Sequence, residues 1–506
     1  MGLSPIGGWW MGAALAVALA APVVAASSGT GAPDWWSPGE GKRMPAEASY
    51  DNPYGKLTVL NTTGPIETAG HPFFTPLGAN GRACVTCHQP SDGMSVSAAH
   101  IQARWLETKG KDPLFAAVDG SNCPALPQDK RASHSLLLDH GLFRIFVPWP
   151  PKNADGSSLN PDFSIEVVRD PTGCNTDKTY GLKSANPMVS VFRRPRPAVN
   201  TKYLTTPDSI AGFNAKTGMP FARDPETGAF VSQELMADGR TLTLKTQAVD
   251  AGLSHLETAA PLSPAQLNAI VAFETQVYAA QSASSIGGAF AATGAPPGLG
   301  ALAMAKGRPG ILGNDLKTPV FQSFEVWRPK PGGPTDAGAA FRASVVRGAD
   351  LYMTKTFWIR DSAHLNTVGL GNPIKRTCST CHNAQMTGMD VAPGWMDIGT
   401  NNLPTADPLA HLPLFKVTCR KDAYPHPFLG RVIYTHDPGR ALTTGKCDDV
   451  GSITMQQFRG LAARAPYFAN GSAKDLMALI VYYDRRYEMK LTDQEKQDFV
   501  NFMSVL

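Results

Sequence analysis

Apolar residues recur at helical spacing in two stretches, each preceded by residues that favour helix initiation. Ser263 stands at an N-cap position, Pro264 follows at the first helical position, and Gln266 completes a capping box. The apolar positions behind it are Leu267, Ile270, Val271, Phe273, Val277 and Tyr278. Near the C-terminus, a second capping box runs from Thr492 to Glu495, and the apolar positions after it are Phe499, Val500, Phe502, Met503 and Leu506. The pattern therefore predicts two capped helices, one in each half of the chain.

A weak internal repeat relates the two halves. The stretch from Ala237 to Arg240, with Leu244 after it, resembles Ala469 to Ser472 followed by Leu476. Each copy leads into a helical stretch and then into one of the capped helices. Two copies of one module would produce this order, and their superposition places residues 251–257 where Tyr483 stands in the second half.

Stretches rich in Gly, Pro, Ala and Ser suggest where these modules end. Residues 27–60 are expected to form an extended leader, and residues 286–340 a linker. The domains between them are then 61–285 and 341–506. Because the recognisable periodicity is helical, we expect a mainly α fold of two domains, with long irregular loops at 104–235 and 290–340 that shape access to the sites.

The N-terminal segment indicates export. An apolar run from Trp9 to Ala26 ends in Val24-Ala25-Ala26, with small residues where a signal peptidase requires them. Residues 1–26 are therefore predicted to be a signal peptide, and the mature protein to be periplasmic. The segment before the run lacks Lys and Arg, so an uncleaved membrane anchor is the alternative.

Composition narrows the class of protein. A chain of 506 residues has room for roughly two to four domains. A net charge of +4 with 17% charged residues is too mild for a nucleic-acid binder, and 43% hydrophobic residues exclude a disordered chain.

Two short motifs carry the chemistry. Cys84-Val85-Thr86-Cys87-His88 and Cys378-Ser379-Thr380-Cys381-His382 both read C-x-x-C-H. In c-type haem attachment, two thioethers hold the macrocycle and the following His supplies an axial nitrogen to iron. A zinc half-site would need a second ligand pair nearby, and a redox C-x-x-C does not require the trailing His. Two such motifs in an exported chain predict two covalent haem c groups.

The other four cysteines are Cys123, Cys174, Cys419 and Cys447. An even number in an oxidising compartment predicts two disulfides, and four cysteines allow three pairings. Pairing within each half, Cys123 with Cys174 and Cys419 with Cys447, is the simplest of these.

The sequence resembles the di-haem cytochrome c peroxidases in three features. These are the two C-x-x-C-H motifs, the tripeptide Asp238-Gly239-Arg240, and the stretch Arg459-Gly460-Leu461-Ala462-Ala463-Arg464-Ala465-Pro466-Tyr467-Phe468-Ala469-Asn470-Gly471-Ser472-Ala473. The resemblance covers roughly 70–285 and 340–506. MauG-type enzymes belong to the same superfamily, and the long separation of the two motifs is similar to its long-loop branch, which includes rubber-cleaving oxygenases.

The resemblance implies two cytochrome c-like domains with different tasks. His88 would be the proximal ligand of a peroxidatic haem in the first domain, and His382 that of an electron-transfer haem in the second. Gln247 and Glu257 stand where the family places its distal Gln and Glu. A distal carboxylate can move the proton that O–O cleavage requires, although a solvated charge is the ordinary alternative for Glu257.

Further iron ligands are implied at two positions. Tyr483 stands where classical peroxidases carry an axial Met and MauG carries Tyr, and a phenolate oxygen stabilises ferric iron. A core aromatic side chain, or ligation by Met489 instead, are the alternatives. His255 could close the first site as a sixth ligand or hydrogen-bond to a bound oxidant, while His71 has a weaker claim.

The resemblance also has gaps, and it leaves the function open between three classes. The family's inter-haem Trp is Ala237 here, and its usual His after Pro-Tyr-Phe is Ala469.

The expected activity is reduction of hydrogen peroxide with electrons from a small periplasmic cytochrome or cupredoxin. The alternatives are MauG-like or oxygenase-type oxidation of an organic or protein substrate, and a non-catalytic electron-transfer cytochrome. A bound calcium ion is common in the family, although no run of acidic ligands marks one in this sequence, and a homodimer is a further expectation.

Overall fold

The computed structural model describes residues 34–153, 156–205, 235–307, 323–362, 371–382 and 395–506. The signal peptide predicted at 1–26 lies outside the described residues. Among those described, no helix is both long and apolar enough to cross a membrane.

The helices of the described residues begin and end close to their sequence signals. Their bounds are α1 Ala98–Thr108, α2 Ser135–His140, α3 Leu244–His255, α4 Pro264–Gln276, α5 Ala301–Lys306, α6 Ala337–Thr354, α7 Ala441–Thr444, α8 Leu476–Tyr487 and α9 Asp493–Ser504. Both predicted capping boxes are confirmed, at Ser263 for α4 and at Thr492 for α9. Helix α4 stops at Gln276, so Val277 and Tyr278 belong to a strand rather than to the helix.

The expectation of a mainly α fold is wrong. The structure is about 30% helical and 19% strand. The strands are β1 Arg43–Met44, β2 Glu47–Asn52, β3 Gly55–Asn61, β4 Ile66–Glu67, β5 Phe143–Pro148, β6 Phe163–Arg169, β7 Met188–Arg193, β8 Val277–Ser284, β9 Gly288–Ala289, β10 Phe357–Ile359, β11 Ile374–Arg376, β12 Trp395–Met396, β13 Leu414–Cys419, β14 Val432–Thr435 and β15 Ile453–Thr454. Because these strands are short and many pair with distant segments, their pattern along the sequence is weak.

One antiparallel sheet of order β2-β3-β8-β9 joins residues 47–61 to residues 277–289. Its inner face carries Ala48, Tyr50, Leu57 and Val59, which are buried with Phe273 of α4 in one core. The domain boundaries proposed from the sequence stay predictions, while this sheet shows how the segment before the first motif packs on the end of α4.

A second sheet joins the two halves of the chain. Strand β13 lies between β14 and β6, and it pairs antiparallel with both. Strands β5 and β7 form a separate antiparallel pair. The stretch 104–235, expected to be irregular, therefore includes three strands, and one of them is built into the second half.

The internal repeat is present in the structure. An isolated bridge joins Leu235 to Thr241, and the same bridge joins Tyr467 to Ala473. Helices α3 and α8 then start at the same spacing from these bridges, and each packs on the helix that follows it.

The predicted disulfides are confirmed. Cys123 is bonded to Cys174, and Cys419 is bonded to Cys447. Both cysteines of each pair are buried. Disulfides of this kind are typical of oxidising compartments.

Candidate cofactor sites

The first motif forms a tight turn anchored from behind. Residues Cys84–Thr86 form a 3₁₀ turn, and the Thr86 hydroxyl accepts a hydrogen bond from the Ala83 amide at 3.0 Å. Arg82 is fully buried and donates to the carbonyl oxygens of Pro113 and Leu114, each at 2.7 Å. These bonds fix the start of the motif to the segment that follows α1.

His88 is held in one orientation. Its Nδ1 lies 2.9 Å from the carbonyl oxygen of Met94, and since a carbonyl only accepts, Nδ1 carries the proton. The other ring nitrogen, Nε2, is then the one available as a metal ligand. Burial lowers the pKa of His88, and the nearby His255 lowers it further.

A cavity of about 1260 Å³, partly open to solvent, borders this motif. Its wall includes Cys84, Cys87 and His88, and the surface of the wall is mostly apolar. Helix α3 contributes the other side through five residues: Leu244, Gln247, Ala248, Ala251 and His255. The sequence-predicted residues Gln247 and His255 therefore lie at the same cavity as His88.

His255 is oriented by a buried carboxylate. Its Nδ1 lies 2.5 Å from Oδ2 of Asp119, whose Oδ1 forms an ion pair with Arg82. Burial alone would raise the pKa of Asp119, but Arg82 and His255 together hold it below its usual value. An ionised carboxylate only accepts, so Nδ1 of His255 is the donor and its Nε2 is left for the cavity.

The second motif is positioned by helix α6. Cys378–Thr380 form a 3₁₀ turn like that of the first motif, and the Tyr352 hydroxyl donates to the backbone carbonyl of His382. Helix α6 lies very close to α9 at Gly348, where an added Cβ would meet the Asp498 carbonyl oxygen at 2.1 Å. A glycine is required at this contact, which brings Tyr352 within reach of the motif.

The second cavity, of about 1510 Å³, borders Cys378, Cys381 and His382. Its wall is dominated by apolar and aromatic side chains. Helix α8 and the residues after it contribute Leu479, Ile480, Tyr483, Tyr487 and Met489. Burial raises the pKa of Tyr483 well above 10, and the phenol of Tyr487 adds to this. Tyr483 and the alternative Met489 thus lie at the same cavity.

The two cavities share part of one wall. Arg194 and Pro195, in the segment after β7, border both. The Arg194 guanidinium donates to the carbonyl oxygens of Val96, Gly141 and Arg464. Burial lowers the pKa of Arg194 to about 10, because its positive charge is removed from water.

The Asp-Gly-Arg motif stabilises this wall. Asp238 is fully buried and accepts from Arg193 at 2.7 Å and from Arg240 at 3.1 Å. Arg193 also forms a two-point contact with Asp437 in the second half. We therefore assign this motif a structural role in joining the halves.

The residues at both cavities fit a haem c group. Cys84, Cys87, Cys378 and Cys381 are outside disulfide bonds, and all four border a cavity next to a His. Apolar walls suit a macrocycle, and Arg194 and Arg464, which both line the second cavity, would supply positive charge near the carboxylates of such a group. Among the residues of the described ranges, no group of three or more His, Cys, Asp or Glu could hold a metal ion directly.

Glu257 has a different position from the other predicted residues. Its side chain is exposed, and it is not among the residues that border the first cavity. His71 is also absent from that wall; it packs against Phe74 and Phe273. The distal role of Glu257 and the binding of calcium both stay predictions.

Three polar residues at the first site were missed from the sequence. Arg82 stands two positions before Cys84 and was identifiable as a charge next to a motif. Asp119 lies in the stretch expected to be irregular, and nothing local connects it to His255. Glu274 occurs inside the apolar face of α4, where a charged residue among Ile270 and Phe273 was a visible anomaly.

No family model and no curated protein matches the sequence. Among solved structures, the chain is similar to a MauG-like protein associated with microbial copper homeostasis, with 15% identity, 95% of each chain covered and a TM-score of 0.35. It is also similar to a hydrazine synthase from Kuenenia stuttgartiensis, with 14% identity, 69% of this chain and 78% of that chain covered, and a TM-score of 0.28.

Proposed function

We propose that this chain is an exported di-haem c-type oxidoreductase that reduces hydrogen peroxide at the first cavity with electrons received through the second. The haems would be attached at Cys84/Cys87 and Cys378/Cys381, with His88 and His382 as proximal ligands. The two disulfides support the periplasmic location, since such bonds persist in oxidising compartments. The electron donor would be a small periplasmic cytochrome or cupredoxin.

One observation carries this proposal. At the position of the repeat where α8 places Tyr483 in the second cavity, α3 places Ala251 in the first. The alanine methyl group leaves room that the phenol fills. This asymmetry supports an open, reactive first site and a closed second site.

The chain's own residues then divide the work at the first cavity. Haem bound there would supply one-electron chemistry at iron. Asp119 keeps a proton on Nδ1 of His255, so that Nε2 can accept or donate a proton at the cavity. The side-chain amide of Gln247, which borders the cavity, offers a hydrogen-bond donor to a small oxidant.

A second candidate function is electron transfer without catalysis. The contact between Asp119 and His255 favours it, because a carboxylate that orients a His is also the usual support of a metal-ligating His. In that case Nε2 of His255 would close the first site as a sixth ligand.

An optical titration of the holoprotein with hydrogen peroxide distinguishes the two. The ferric and half-reduced forms are each mixed with stoichiometric peroxide, and the Soret band is followed. An open first site gives a fast shift, and saturable oxidation of a reduced cytochrome follows. A new species that persists without a small donor would indicate oxidation of an organic or protein substrate instead.

The variant His255→Ala sharpens the result, with His134→Ala as a matched control because His134 is buried away from both cavities. If His255 is a sixth ligand, the wild type does not respond and His255→Ala does. If His255 assists the reaction, the wild type responds and the variant is slower by about 10²–10⁴-fold, the range of general acid–base catalysis. No response from either protein would contradict the peroxidase proposal.

A further inference from the structure

Helix α4 places a carboxyl group in the wall of the first cavity. Glu274 is 6% exposed, and its neighbours on the same face of α4 are Ile270 and Phe273, both buried. Glu274 and Ile270 both border the cavity, as does Cys84 of the first motif. The charge of Glu274 is close enough to Cys84 to contribute to the raised pKa of that thiol.

Among the residues that the structure describes, none forms an ion pair with this carboxyl group. Its Oε2 is buried and forms no hydrogen bond. Burial raises the pKa of Glu274 to about 8, since the ionised form loses its hydration. A buried acid of this kind can change its protonation state at a pH well above that of an exposed glutamate.

The other ionisable groups of the cavity wall are already engaged with one another or with the backbone. Outside the motif itself they are Asp119, Arg193, Arg194, Arg196, Arg240 and His255. Arg193 and Arg240 pair with Asp238, and Asp119 pairs with Arg82 and His255. Arg194 and Arg196 donate to backbone carbonyls.

In the described part of the chain, the polar side chains packed on α4 are engaged with groups other than the Glu274 carboxyl. From the turn Thr201–Tyr203, the Thr201 hydroxyl donates to the backbone carbonyl of Glu274, and Lys202 donates to the carbonyls of Ala305 and Gly307. His71 packs on the ring of Phe273, where its Nδ1 accepts from the Phe73 amide. A change of charge inside the cavity is thus the main influence left to act on Glu274.

We propose that Glu274 is a proton-binding site coupled to the redox state of the first cofactor site, a role that rests on the proposed function. When a one-electron donor reduces that site, the Glu274 carboxylate takes up one proton from solvent. One O–H bond forms on the carboxyl group as one O–H bond of a hydronium ion breaks, and a water molecule is released. The added electron and the added proton cancel, so the buried wall gains no net charge.

The direction of the coupling follows from electrostatics. The oxidised site carries one more positive charge, which favours the ionised carboxylate and lowers its pKa. Reduction removes that charge and raises the pKa. Between the two pKa values, each electron is accompanied by a proton, so the reduction potential falls as pH rises. Below both values the carboxyl is neutral in either state, above both it is ionised in either state, and the potential is then independent of pH.

The experiment is a redox titration of the holoprotein, followed by its haem absorption, from about pH 6 to about pH 10, a range that brackets a buried carboxyl. In the wild type, one of the two haem potentials should fall over part of this range by up to about 59 mV per pH unit, the value for one proton per electron. In Glu274→Gln that slope should be lost. The variant's potential should match the wild type at low pH and exceed it at high pH, where the wild type has an anion beside the cofactor.

Two further variants make the result specific. Glu166→Gln removes an exposed carboxylate of β6 that is 3.8 Å from Lys416, and it should keep the wild-type slope. Glu274→Leu is also unable to titrate, and because it removes a buried polar group it should fold if the Gln variant does not. Redox-difference infrared spectra offer a second readout: the C=O stretch of a protonated carboxylic acid should appear on reduction of the wild type and be missing from both Glu274 variants.

The outcomes separate this inference from the proposed function. Mass spectrometry that finds no covalent haem at Cys84 and Cys87 would overturn the proposed function itself. If both haems are attached and the wild-type potentials are flat with pH, or the slope persists in Glu274→Gln and Glu274→Leu, the role of Glu274 is wrong and the di-haem assignment stands.

Discussion

The first cavity borders Ala251 and His255 of α3, whereas the second borders Tyr483 and Tyr487 of α8. These pairs occupy equivalent positions, because the spacing that relates Leu235 to Tyr467 and Thr241 to Ala473 also relates the starts of α3 and α8. The two copies of this repeated unit therefore carry different side chains. The first copy places a methyl group and an imidazole at its cavity, and the second copy places two phenols at the other.

The difference extends to what supports these side chains. At the first cavity, His255 is fixed by Asp119 and Arg82, both buried. At the second, Tyr483 and Tyr487 pack against each other with ring centroids 6.2 Å apart, and the Tyr487 hydroxyl contacts Ser362 at 2.9 Å. The imidazole at the first cavity is therefore anchored by a buried ion pair, whereas the phenols at the second are held by ring packing and one hydroxyl contact. Duplicated scaffolds can thus acquire separate tasks through a few residues on equivalent helices.

The largest effect is expected from Asp119→Asn, which should disturb the first site alone. The substitution removes the carboxylate charge that pairs with Arg82 and leaves Arg82 as a buried cation without that counter-ion. We expect this to lower the free energy of unfolding by about 3–5 kcal/mol. The pKa of Asp119 is lowered in the folded protein, so its stabilisation is present above the unfolded pKa of about 3.9 and is lost as pH falls through the folded value. Urea unfolding at several pH values measures both effects.

The control is Asp139→Asn, which breaks an exposed ion pair with Arg131. Exposed pairs contribute only about 0–1 kcal/mol, so this variant should unfold almost like the wild type. Equal losses in the two variants would mean that Asp119 does not hold the first site together.

Asp119 also shows where prediction from sequence stops. The C-x-x-C-H motifs, the capping boxes of α4 and α9 and the pairing of four cysteines are local or follow from simple rules, and the structure agrees with the helices and the disulfides. The contact of Asp119 with His255, and the pairing of β6 with β13, join segments far apart in sequence. Only the folded chain brings them together, so no periodicity or spacing marks them beforehand.

The variant Ala251→Tyr tests the comparison directly, since it places in the first cavity the side chain that the second already has. If the new phenol ligates the first site all but about one per cent of the time, only about one per cent of the protein is free to bind cyanide. The apparent affinity for cyanide would then fall about a hundredfold. Cyanide titration followed by the Soret band measures this. Ala251→Phe adds the same ring without the hydroxyl, and it should weaken binding less. Similar losses in both variants would show that crowding, rather than ligation, closes the site.

The smallest change is expected from Tyr483→Phe, which should act on the second site alone. A phenolate stabilises ferric iron, so its loss should raise the second reduction potential by about 59 mV or more, a tenfold change in the one-electron equilibrium. Spectroelectrochemical titration of the holoprotein gives both potentials, and that of the first site should stay unchanged.

Tyr482→Phe is the matched control because Tyr482 is the preceding residue of α8, yet it does not border the cavity and donates instead to the Ile398 carbonyl at 3.0 Å. Loss of the Tyr482 hydroxyl should leave both reduction potentials unchanged. If Tyr483→Phe also leaves both potentials unchanged, and Met489→Leu changes the potential of the second site, then the ligand is the thioether of Met489, which borders the same cavity. The closed character of the second site would then survive, but it would rest on the residues after α8 rather than on the repeat position that Tyr483 shares with Ala251.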